Sequence, residues 1–343
     1  MNEQILTDGG HFELSTMYHV LVLEDMLDLC NVTSVFSGAV DSRWHATLRH
    51  WREQIGLMRN WLAAMCHPDG EIGFFNDAAV GVAPAPGELD QYAVRLGFPD
   101  RSACTPGLIA LGASGYLRVE RDDAVALLDV APVGPDYLPA HAHADTLSFE
   151  LSVFGRRIFV NSGTSCYGNS AERIRQRGTA AHNTVVVDGE NSSEVWAGFR
   201  VARRARPVEL EVVHNGSMEV RCAHDGYQRL PGHPTHLRQW RFGECELVLE
   251  DTISGSFKHA QARFHLHPSI RRQPAGSDAT ARDCVVLQVV EHQKIYFSIE
   301  GGTLRAEAST WHPEFGCSEP NVCLVVDFNQ PSLRTRIDWK SRL

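Results

Sequence analysis

From about residue 105 onward, the sequence is a succession of short β-type runs that are separated by turn residues. The runs read YLRVERD, AVALLDVAP, LSFELSVFG, RRIFVNSG, NTVVVDG, ECELVLEDTI, CVVLQVVE, KIYFSIE and VCLVVDF. Short strands with turn residues at fairly regular intervals are typical of antiparallel sandwiches. The pattern therefore predicts a large antiparallel β-sandwich, which we assign to residues 86–343.

The residues before these runs follow a helical pattern instead. Apolar side chains recur at spacings of three and four in two segments, 14–30 and 43–66, and Ser15 stands where the first helix needs an N-cap. The stretch GVAPAPGELDQ (81–91) is rich in proline and glycine and is interpreted as a linker. Helices with wide apolar stripes need covering partners, so residues 1–85 are expected to end a larger helical domain. The predicted class is α+β with two domains.

Charge and composition exclude several classes of protein. The 343 residues include 42 acidic and 32 basic ones, giving a formal net charge of −10, whereas a general nucleic-acid binder needs a basic surface. No run approaches the ~20 apolar residues of a membrane helix, so no membrane insertion is expected. Nine scattered cysteines without a CxxC pair argue against a disulfide framework. The first residues, MNEQILTDGGHFELS, lack the features of a signal peptide, which leaves the compartment open.

A histidine-rich motif, His141-Ala142-His143-Ala144-Asp145, directly precedes one of the β-type runs. In an extended chain alternate residues point the same way, so both histidines and the aspartate can face one pocket. Imidazole is the commonest metal ligand, although a lone histidine pair is more often structural. Metallo-β-lactamase-like hydrolases would need a histidine at Thr146, and amidohydrolases place such a pair after a first barrel strand. The sequence therefore disfavours both of these enzyme classes.

A second motif, RIRQRGTAAHNTVVVDG, places Arg173, Arg175 and Arg177 just ahead of His182. The guanidinium fork matches a carboxylate or sulfate in two-point contact. The segment is therefore a candidate for binding an acidic ligand, and the alternative is a solvated basic loop.

Two tyrosines are further candidates for chemistry. Tyr18 and His19 lie on the first predicted helix, where Tyr18 could equally be a core aromatic residue. The segment VNSGTSCYG ends a strand in a glycine turn and brings Asn161 and Tyr167 close to it in sequence.

Together these segments resemble the heparinase II/III-like polysaccharide lyase family, which includes alginate and oligoalginate lyases. The matching segments, in the family's order, are DGGHFELSTMYHVLVLEDMLDL, AHAHADTLSFELSVFGRRIFVNSGTSCY, RGTAAHNTVVVDG and RFHLHP. They span nearly the whole chain, and the second one is the most specific. The resemblance implies a helical (α/α) toroid followed by a large antiparallel β-sandwich.

The resemblance also implies a reaction and roles for particular residues. Such lyases remove the C5 proton of a uronic acid and expel the 4-linked sugar by β-elimination, which needs a base, an acid and a neutralised carboxylate. Tyr18 matches the tyrosine that serves as proton donor and often as base, His141 matches the catalytic histidine, and Tyr167 matches a second active-site tyrosine. His19 and the arginines at 173, 175 and 177 are expected to bind the acidic substrate.

A structural zinc ion is implied as well. His143 and His182 match two of its ligands, and Asn161 stands where the family usually carries an aspartate. An amide oxygen is a poorer zinc ligand than a carboxylate, so zinc is expected but with weakened binding.

The expected function is therefore a lyase acting on an acidic polysaccharide. In the family, the group that neutralises the uronate carboxylate comes from the toroid upstream of the tyrosine, and here only seventeen residues precede Tyr18. We therefore expect an incomplete enzyme that needs an upstream helical half or associates with itself. Related lyases are commonly periplasmic or secreted. Two other functions stay open: a non-catalytic glycan-binding or polysaccharide-assembly protein that retains the sandwich, and a zinc-dependent hydrolase.

Overall fold

The computed structural model describes residues 3–36, 38, 41, 44–101, 104–214, 218–274, 283–290 and 292–339. Residue 43, where the second predicted helix begins, and Glu291, at the end of one predicted strand, lie outside these ranges.

The described ranges contain four α-helices: α1 Thr16–Val35, α2 His45–Ala64, α3 Pro86–Arg95 and α4 Ala171–Arg177. The first two confirm the helical pattern of the sequence. Ser15 caps α1, because its hydroxyl accepts a hydrogen bond from the backbone N–H of Tyr18 at 3.1 Å. No helix within the described ranges is long and apolar enough to cross a membrane.

The third helix corrects the interpretation of residues 81–91 as a linker. Pro86 occupies the start of α3, where its fixed φ and missing N–H are tolerated. Leu89 and Ala93, four residues apart, are buried in one apolar cluster with side chains of α1 and α2. The helical part therefore extends beyond residue 85, because a proline-rich start conceals a short amphipathic helix.

The rest of the described chain is mostly antiparallel β-structure, and all nine predicted β-type runs contain a strand. The strands are β1 Gly107–Leu111, β2 Tyr116–Arg121, β3 Ala124–Asp129, β4 Phe149–Val153, β5 Arg156–Phe159, β6 Val185–Val187, β7 Val195–Trp196, β8 Arg200–Val201, β9 Pro207–His214, β10 Met218–His224, β11 Thr235–Phe242, β12 Glu246–Ser254, β13 Ala260–His265, β14 Arg271–Pro274, β15 Cys284–Val290, β16 Gln293–Glu300, β17 Thr303–Trp311, β18 Glu319–Phe328 and β19 Ser332–Asp338.

These strands form four sheets. The five-stranded sheet has the order β1-β2-β3-β4-β5, and the eight-stranded sheet has the order β14-β15-β16-β19-β12-β11-β10-β9. A four-stranded sheet has the order β17-β18-β13-β6, and β7 pairs with β8 as a two-stranded ribbon. The class is thus α+β, as predicted.

One apolar core joins the three larger sheets. Four phenylalanines meet there, namely Phe149 and Phe159 of the five-stranded sheet, Phe264 of the four-stranded sheet and Phe297 of the eight-stranded sheet. Their ring centroids lie 5.0 to 6.3 Å apart, a spacing at which aromatic rings attract one another. The contact between the rings fixes how the sheets are placed relative to each other.

A smaller core places the helices on the five-stranded sheet. Trp61 of α2 packs edge-on against Tyr116 of β2 at 6.0 Å, and Phe75 lies 5.2 Å from the same tyrosine. Leu127 of β3 completes this cluster. The loop after α2 is therefore held between helix and sheet, beside the start of α1.

A buried ion pair ties the eight-stranded sheet to two loops. Arg238 of β11 lies opposite Asp251 of β12, and its Nε and Nη2 donate to the two carboxylate oxygens at 2.7 and 3.0 Å. Its Nη1 donates to the carbonyls of Leu147 and Asn183 at 2.9 and 2.7 Å. Leu147 lies two residues after the motif at 141–145, and Asn183 directly follows His182. Burial raises the pKa of Asp251, but the Arg238 charge and the His236 hydrogen bond outweigh it and lower that pKa to about 2.

We predict that Asp251→Asn lowers the free energy of unfolding at neutral pH by roughly 3 kcal/mol, because buried Arg238 loses its charged partner. An acid whose pKa is lowered in the folded state contributes fully to the free energy of unfolding above its pKa in the unfolded state, about 3.9. That contribution is lost as the pH falls toward its pKa in the folded state. The gap between the parent and the variant should therefore narrow below about pH 4 in urea denaturation series.

The matched control is Glu250→Gln, on the same strand, whose ion pair with Arg241 lies at the surface. That change should cost less than about 1 kcal/mol. Equal costs for both variants, or a gap that does not vary with pH, would contradict the assignment.

Candidate functional site

Three residues that the sequence nominated for catalysis meet at the N-terminal end of α1. The hydroxyl oxygens of Tyr18 and Tyr167 are 2.9 Å apart, within hydrogen-bond distance. The imidazole of His141 lies over the Tyr18 ring, with centroids 4.0 Å apart. The His141 side chain is 17% exposed, so the cluster is open to solvent on one side. Burial raises the pKa of both tyrosines above the ordinary value, which keeps their hydroxyls protonated.

A single buried carboxylate, that of Asp77, holds His141 in this cluster and binds several residues around it. It accepts a hydrogen bond from His141 Nδ1 at 2.9 Å and another from His143 Nε2 at 2.8 Å. Both of its oxygens are also bound by the guanidinium of Arg173, and Thr164 donates to it at 3.2 Å. Burial alone would raise the pKa of Asp77, but the hydrogen bonds from the histidines and Arg173 outweigh it and hold the pKa well below its usual range. Asp77 is therefore an ionised acceptor.

An ionised Asp77 decides where the two histidines carry their hydrogens. His141 must present N–H at Nδ1, which leaves its Nε2 with a lone pair. His143 must present N–H at Nε2, which leaves its Nδ1 with a lone pair. One carboxylate thus fixes the orientation and the tautomer of both rings.

The sequence reasoning missed Asp77. It lies in FFNDAAV, which is outside the motifs that the sequence singled out. The signal available was an acidic residue inside an apolar run, because a buried carboxylate has to be paired with cations or hydrogen-bond donors.

Three donor groups that could hold a metal ion converge on the far side of His143. The ligand atoms of His143, Asp145 and His182 lie within 4.8 Å of one another, and all three residues are buried. One oxygen of Asp145 accepts the backbone N–H of Asn76 at 3.0 Å. The cluster has the chemistry of a site for zinc, which prefers imidazole and carboxylate ligands.

The hydrogen bonds around these histidines also fit a bound cation. His182 donates from Nδ1 to the Gly178 carbonyl at 2.9 Å, so its Nε2 carries a lone pair. That nitrogen lies 3.1 Å from Nδ1 of His143, which carries a lone pair too. Burial lowers the pKa of both rings, for His182 to about 4, so neither is charged at neutral pH. Two lone pairs at this distance repel each other unless a positive ion lies against both.

Asn161 is not placed as the predicted third ligand. Its side-chain oxygen accepts the backbone N–H of Asn183 at 3.0 Å, and its amide nitrogen donates to the Phe74 carbonyl at 2.9 Å. The amide is therefore committed to holding backbone segments together. The acidic group beside the two histidines is Asp145, which lies on the same extended segment as His143.

The prediction that His19 binds substrate is wrong. The ring is fully buried in the first turns of α1, where Nδ1 accepts the His11 backbone N–H and Nε2 contacts the Met58 carbonyl at 3.0 Å. Burial lowers its pKa to about 3. Tyr18 and His19 are adjacent on a helix, so only one of them can face the open side.

The three arginines of RIRQR do not form a substrate-binding loop, because they lie on the short helix α4. Arg173 and Arg177 are fully buried, the first on Asp77 and the second on the carbonyls of Ala142 and Ala197. Arg175 is 39% exposed, but its guanidinium binds Glu172 on the same helix. The predicted role in substrate binding is thus wrong for the two buried residues, which organise the site from inside.

Two aromatic residues that were not nominated line the open side. Phe199 lies edge-on to Tyr167 at 5.1 Å and to His141 at 6.1 Å. Phe315 also lies edge-on to Tyr167, at 4.9 Å. The exposed surface around the three catalytic candidates is therefore largely aromatic.

Comparison with known proteins places this chain in a family. The model described as heparinase II/III N-terminus matches residues 1–103, and the model described as heparinase II/III-like, C-terminal, matches residues 104–340. The chain belongs to the heparinase II/III-like family. The boundary between the two matches leaves α3 with the other helices, in agreement with its packing.

Members of the heparinase II/III-like family share the fold of this chain along its whole length. A heparin-sulfate lyase from Bacteroides stercoris is 23% identical over 336 residues, covering 90% of this chain and 46% of that protein. A solved heparinase III has a TM-score of 0.77 at 16% identity, covering 99% of this chain and 55% of that one. Heparan sulfate lyase HepC from Pedobacter heparinus gives 0.74 at 17% identity, covering 99% and 55%. The chain spans about half the length of these relatives, and a relationship to alginate lyases stays a prediction.

We predict that Asp77→Asn destabilises the fold by roughly 3 kcal/mol, because Arg173 is left as a buried charge without a charged partner. The double variant Asp77→Asn with Arg173→Met should recover part of that loss, since it removes the cation as well. Chemical denaturation of four proteins, namely the parent, Asp77→Asn, Arg173→Met and the double variant, measures both effects.

Asp136→Asn is the control, because Asp136 is 96% exposed and its ion pair with Arg204 lies at the surface. Its loss should stay below about 1 kcal/mol. A double variant as unstable as the sum of its single changes would show that the two charges do not act as a pair.

Proposed function

We propose that this chain carries the catalytic groups of a polysaccharide lyase, which cleaves a uronate-containing glycan by β-elimination. Family membership supports the reaction class. The observation that carries the proposal is the meeting of Tyr18, Tyr167 and His141 above Asp77, since it combines an acid and an oriented base on one open surface. The names of the relatives make heparin and heparan sulfate the first substrates to test.

In this proposal His141 acts as the base. Asp77 holds its Nδ1–H, so Nε2 points away with a lone pair and can accept the C5 proton of the uronate. The electrons of the broken C–H bond form the C4–C5 double bond as the bond from C4 to the leaving oxygen breaks. Asp77 stabilises the imidazolium that results, because it is ionised and in direct contact with the ring.

Tyr18 is the acid in the same step. Its raised pKa keeps the hydroxyl protonated at neutral pH, so it has a proton to give to the departing sugar oxygen. Tyr167 lies within hydrogen-bond distance of that hydroxyl and orients it. After the step His141 releases the C5 proton to solvent and Tyr18 regains a proton from solvent, both through the exposed side of the cluster.

We infer that zinc is held by His143, Asp145 and His182 rather than by Asn161. When bound, the ion supplies a cross-link between the segment that carries His141 and the segment that begins β6. The three donors are at most 3% exposed, which leaves little access for a substrate and an attacking water. Their burial supports a structural ion and speaks against the zinc-hydrolase alternative.

We further propose that α1 to α3 correspond to the end of an (α/α) toroid and that the larger sheets correspond to the family's β-sandwich. The relatives are about twice as long as this chain, and they cover it almost completely. Apolar side chains at the end of α1 and the start of α2, among them Val32, Phe36 and Trp44, are more than half exposed. Such a surface fits a further layer of helices.

We predict that Tyr18→Phe lowers kcat for elimination at least about 100-fold, because a general acid contributes this much or more. Absorbance from the new C4–C5 double bond measures turnover on heparan sulfate, heparin, chondroitin, hyaluronan and alginate. The control is Tyr92→Phe on α3, whose hydroxyl binds Asp28 and Asn31 away from the cluster.

Turnover that survives in the Tyr18 variant would remove this residue from the mechanism. Tight binding of an acidic glycan without double-bond formation in any of these proteins would favour the alternative of a non-catalytic glycan-binding protein.

We predict that the purified chain binds one zinc ion and that Asp145→Asn weakens zinc binding at least about tenfold, because a carboxylate ligand is lost. Metal content after dialysis and competition with a chromogenic chelator measure the affinity without any enzymatic assay. Chelation should also lower the melting temperature of the parent.

Asp69→Asn serves as the control, because that acid pairs with Arg157 and is not part of the cluster. If Asn161→Ala abolished zinc binding while Asp145→Asn left it unchanged, the assignment of the third ligand would be wrong.

A further inference from the structure

The turn of the β7–β8 ribbon is fastened to the candidate active site by the two buried arginines of α4. Arg177 donates to the Ala197 carbonyl at 3.2 Å, and Arg173 donates from Nε to the Gly198 carbonyl at 3.0 Å. The Gly198 N–H donates to the Asn169 side chain at 2.8 Å. A Cβ at position 198 would lie 2.6 Å from the Gly168 carbonyl oxygen, so only glycine allows this approach. The turn is thus held rigidly by its backbone.

The backbone carbonyls of this turn face the buried arginines, whereas several side chains of the ribbon are exposed to solvent. Phe199 packs against Tyr167 and His141, within the site itself. Trp196 and Arg200 lie directly opposite each other in the ribbon, which puts their side chains on the same face. Trp196 is 55% exposed, and Arg200 is exposed as well.

Arg200 differs from the arginines that follow it in the chain. Arg203 pairs with Glu194 and Arg204 pairs with Asp136, so their charges are largely neutralised. Within the described residues, no ion pair or side-chain hydrogen bond involves the guanidinium of Arg200. In a chain with a net charge of −10, an unpaired cation next to the catalytic cluster attracts anionic ligands selectively.

An exposed indole and a free guanidinium on one face form a surface suited to an acidic sugar. The flat apolar face of tryptophan can stack on the C–H face of a pyranose ring while its edge stays in water. The guanidinium fork can bind a carboxylate or sulfate on the same ring in two-point contact. Among the described residues, no side-chain hydrogen bond or ion pair occupies either group.

We propose that Trp196 and Arg200 form a subsite that binds an acidic sugar of the polysaccharide, next to the linkage that is broken. Trp196 and Arg200 flank the turn that carries Phe199, and the Phe199 ring contacts His141, so this face of the ribbon lies beside the catalytic cluster. The subsite rests on the proposed lyase function for its ligand. In this arrangement the buried arginines of α4 hold the turn of the ribbon in place, and the exposed Arg200 binds the acidic group of the sugar.

The test is calorimetric binding to the 343-residue chain carrying Tyr18→Phe, so that no turnover intervenes. The probes are a heparin-derived hexasaccharide and an unsulfated hexasaccharide of the same backbone. Adding Arg200→Gln should weaken binding about tenfold, the effect of one lost charge-assisted contact. Adding Arg200→Lys should recover only part of the affinity, because a point charge replaces the fork. Trp196→Ala should weaken binding of both probes.

The matched control is Arg271→Gln, an exposed arginine on β14, at the edge of the eight-stranded sheet opposite to β9. It should change the affinity less than about twofold. A loss on Arg200→Gln confined to the sulfated probe identifies a bound sulfate, and an equal loss for both probes identifies the carboxylate. Both results support the subsite.

If Arg200→Gln changed the affinity no more than the control Arg271→Gln does, the proposed subsite would be wrong. It would also be wrong if neither probe bound to the chain. The proposed function fails by a different measurement, namely no C4–C5 double bond formed by the parent chain. Melting temperatures of all variants identify any that have lost the fold, and Arg200→Lys then provides the test at the same position.

Discussion

The site depends on one buried carboxylate that binds three cationic or N–H-bearing partners. The carboxylate of Asp77 binds His141, His143 and Arg173, and Asp77 itself is fully buried. A carboxylate in such a position is unfavourable unless every lone pair is used, so the surrounding groups are held to a narrow geometry. Because Arg173 lies ninety-six residues away in sequence, the catalytic surface forms only when the helices, the sheets and α4 have come together.

The same reasoning explains why the arginine-rich segment turns inward. A buried guanidinium is tolerated when each of its N–H groups finds an oxygen, and α4 lies between Asp77 on one side and the loop carbonyls on the other. The cations therefore stabilise the backbone that displays Phe199 rather than meeting a ligand themselves. Recognition of charge is left to the residues whose guanidinium groups stay outside.

Sequence patterns predicted helices and strands that show a regular spacing of apolar residues. They did not predict contacts between residues that are far apart in the sequence. The helices α1 and α2 and nine of the strands follow from local spacing, whereas β11, in which charged and apolar residues alternate, is not among the predicted runs. The joining of Tyr18, His141 and Tyr167 was expected only through the family resemblance. The contacts of Asp77, and the proposed replacement of Asn161 by Asp145 as a zinc ligand, could not be read from the sequence, since they depend on which atoms backbone N–H groups and guanidinium groups already occupy.

His143 links the two halves of the site through opposite nitrogens of one ring. Its Nε2 donates to Asp77, and its Nδ1 faces His182 and Asp145. A cation held on Nδ1 would draw electron density from the ring and strengthen the Nε2–H bond to Asp77. The carboxylate would then have less negative charge to offer His141 on its other oxygen. An ion too deeply buried to meet the substrate would in this way act on His141 as well as on His143, through the single carboxylate that both rings share.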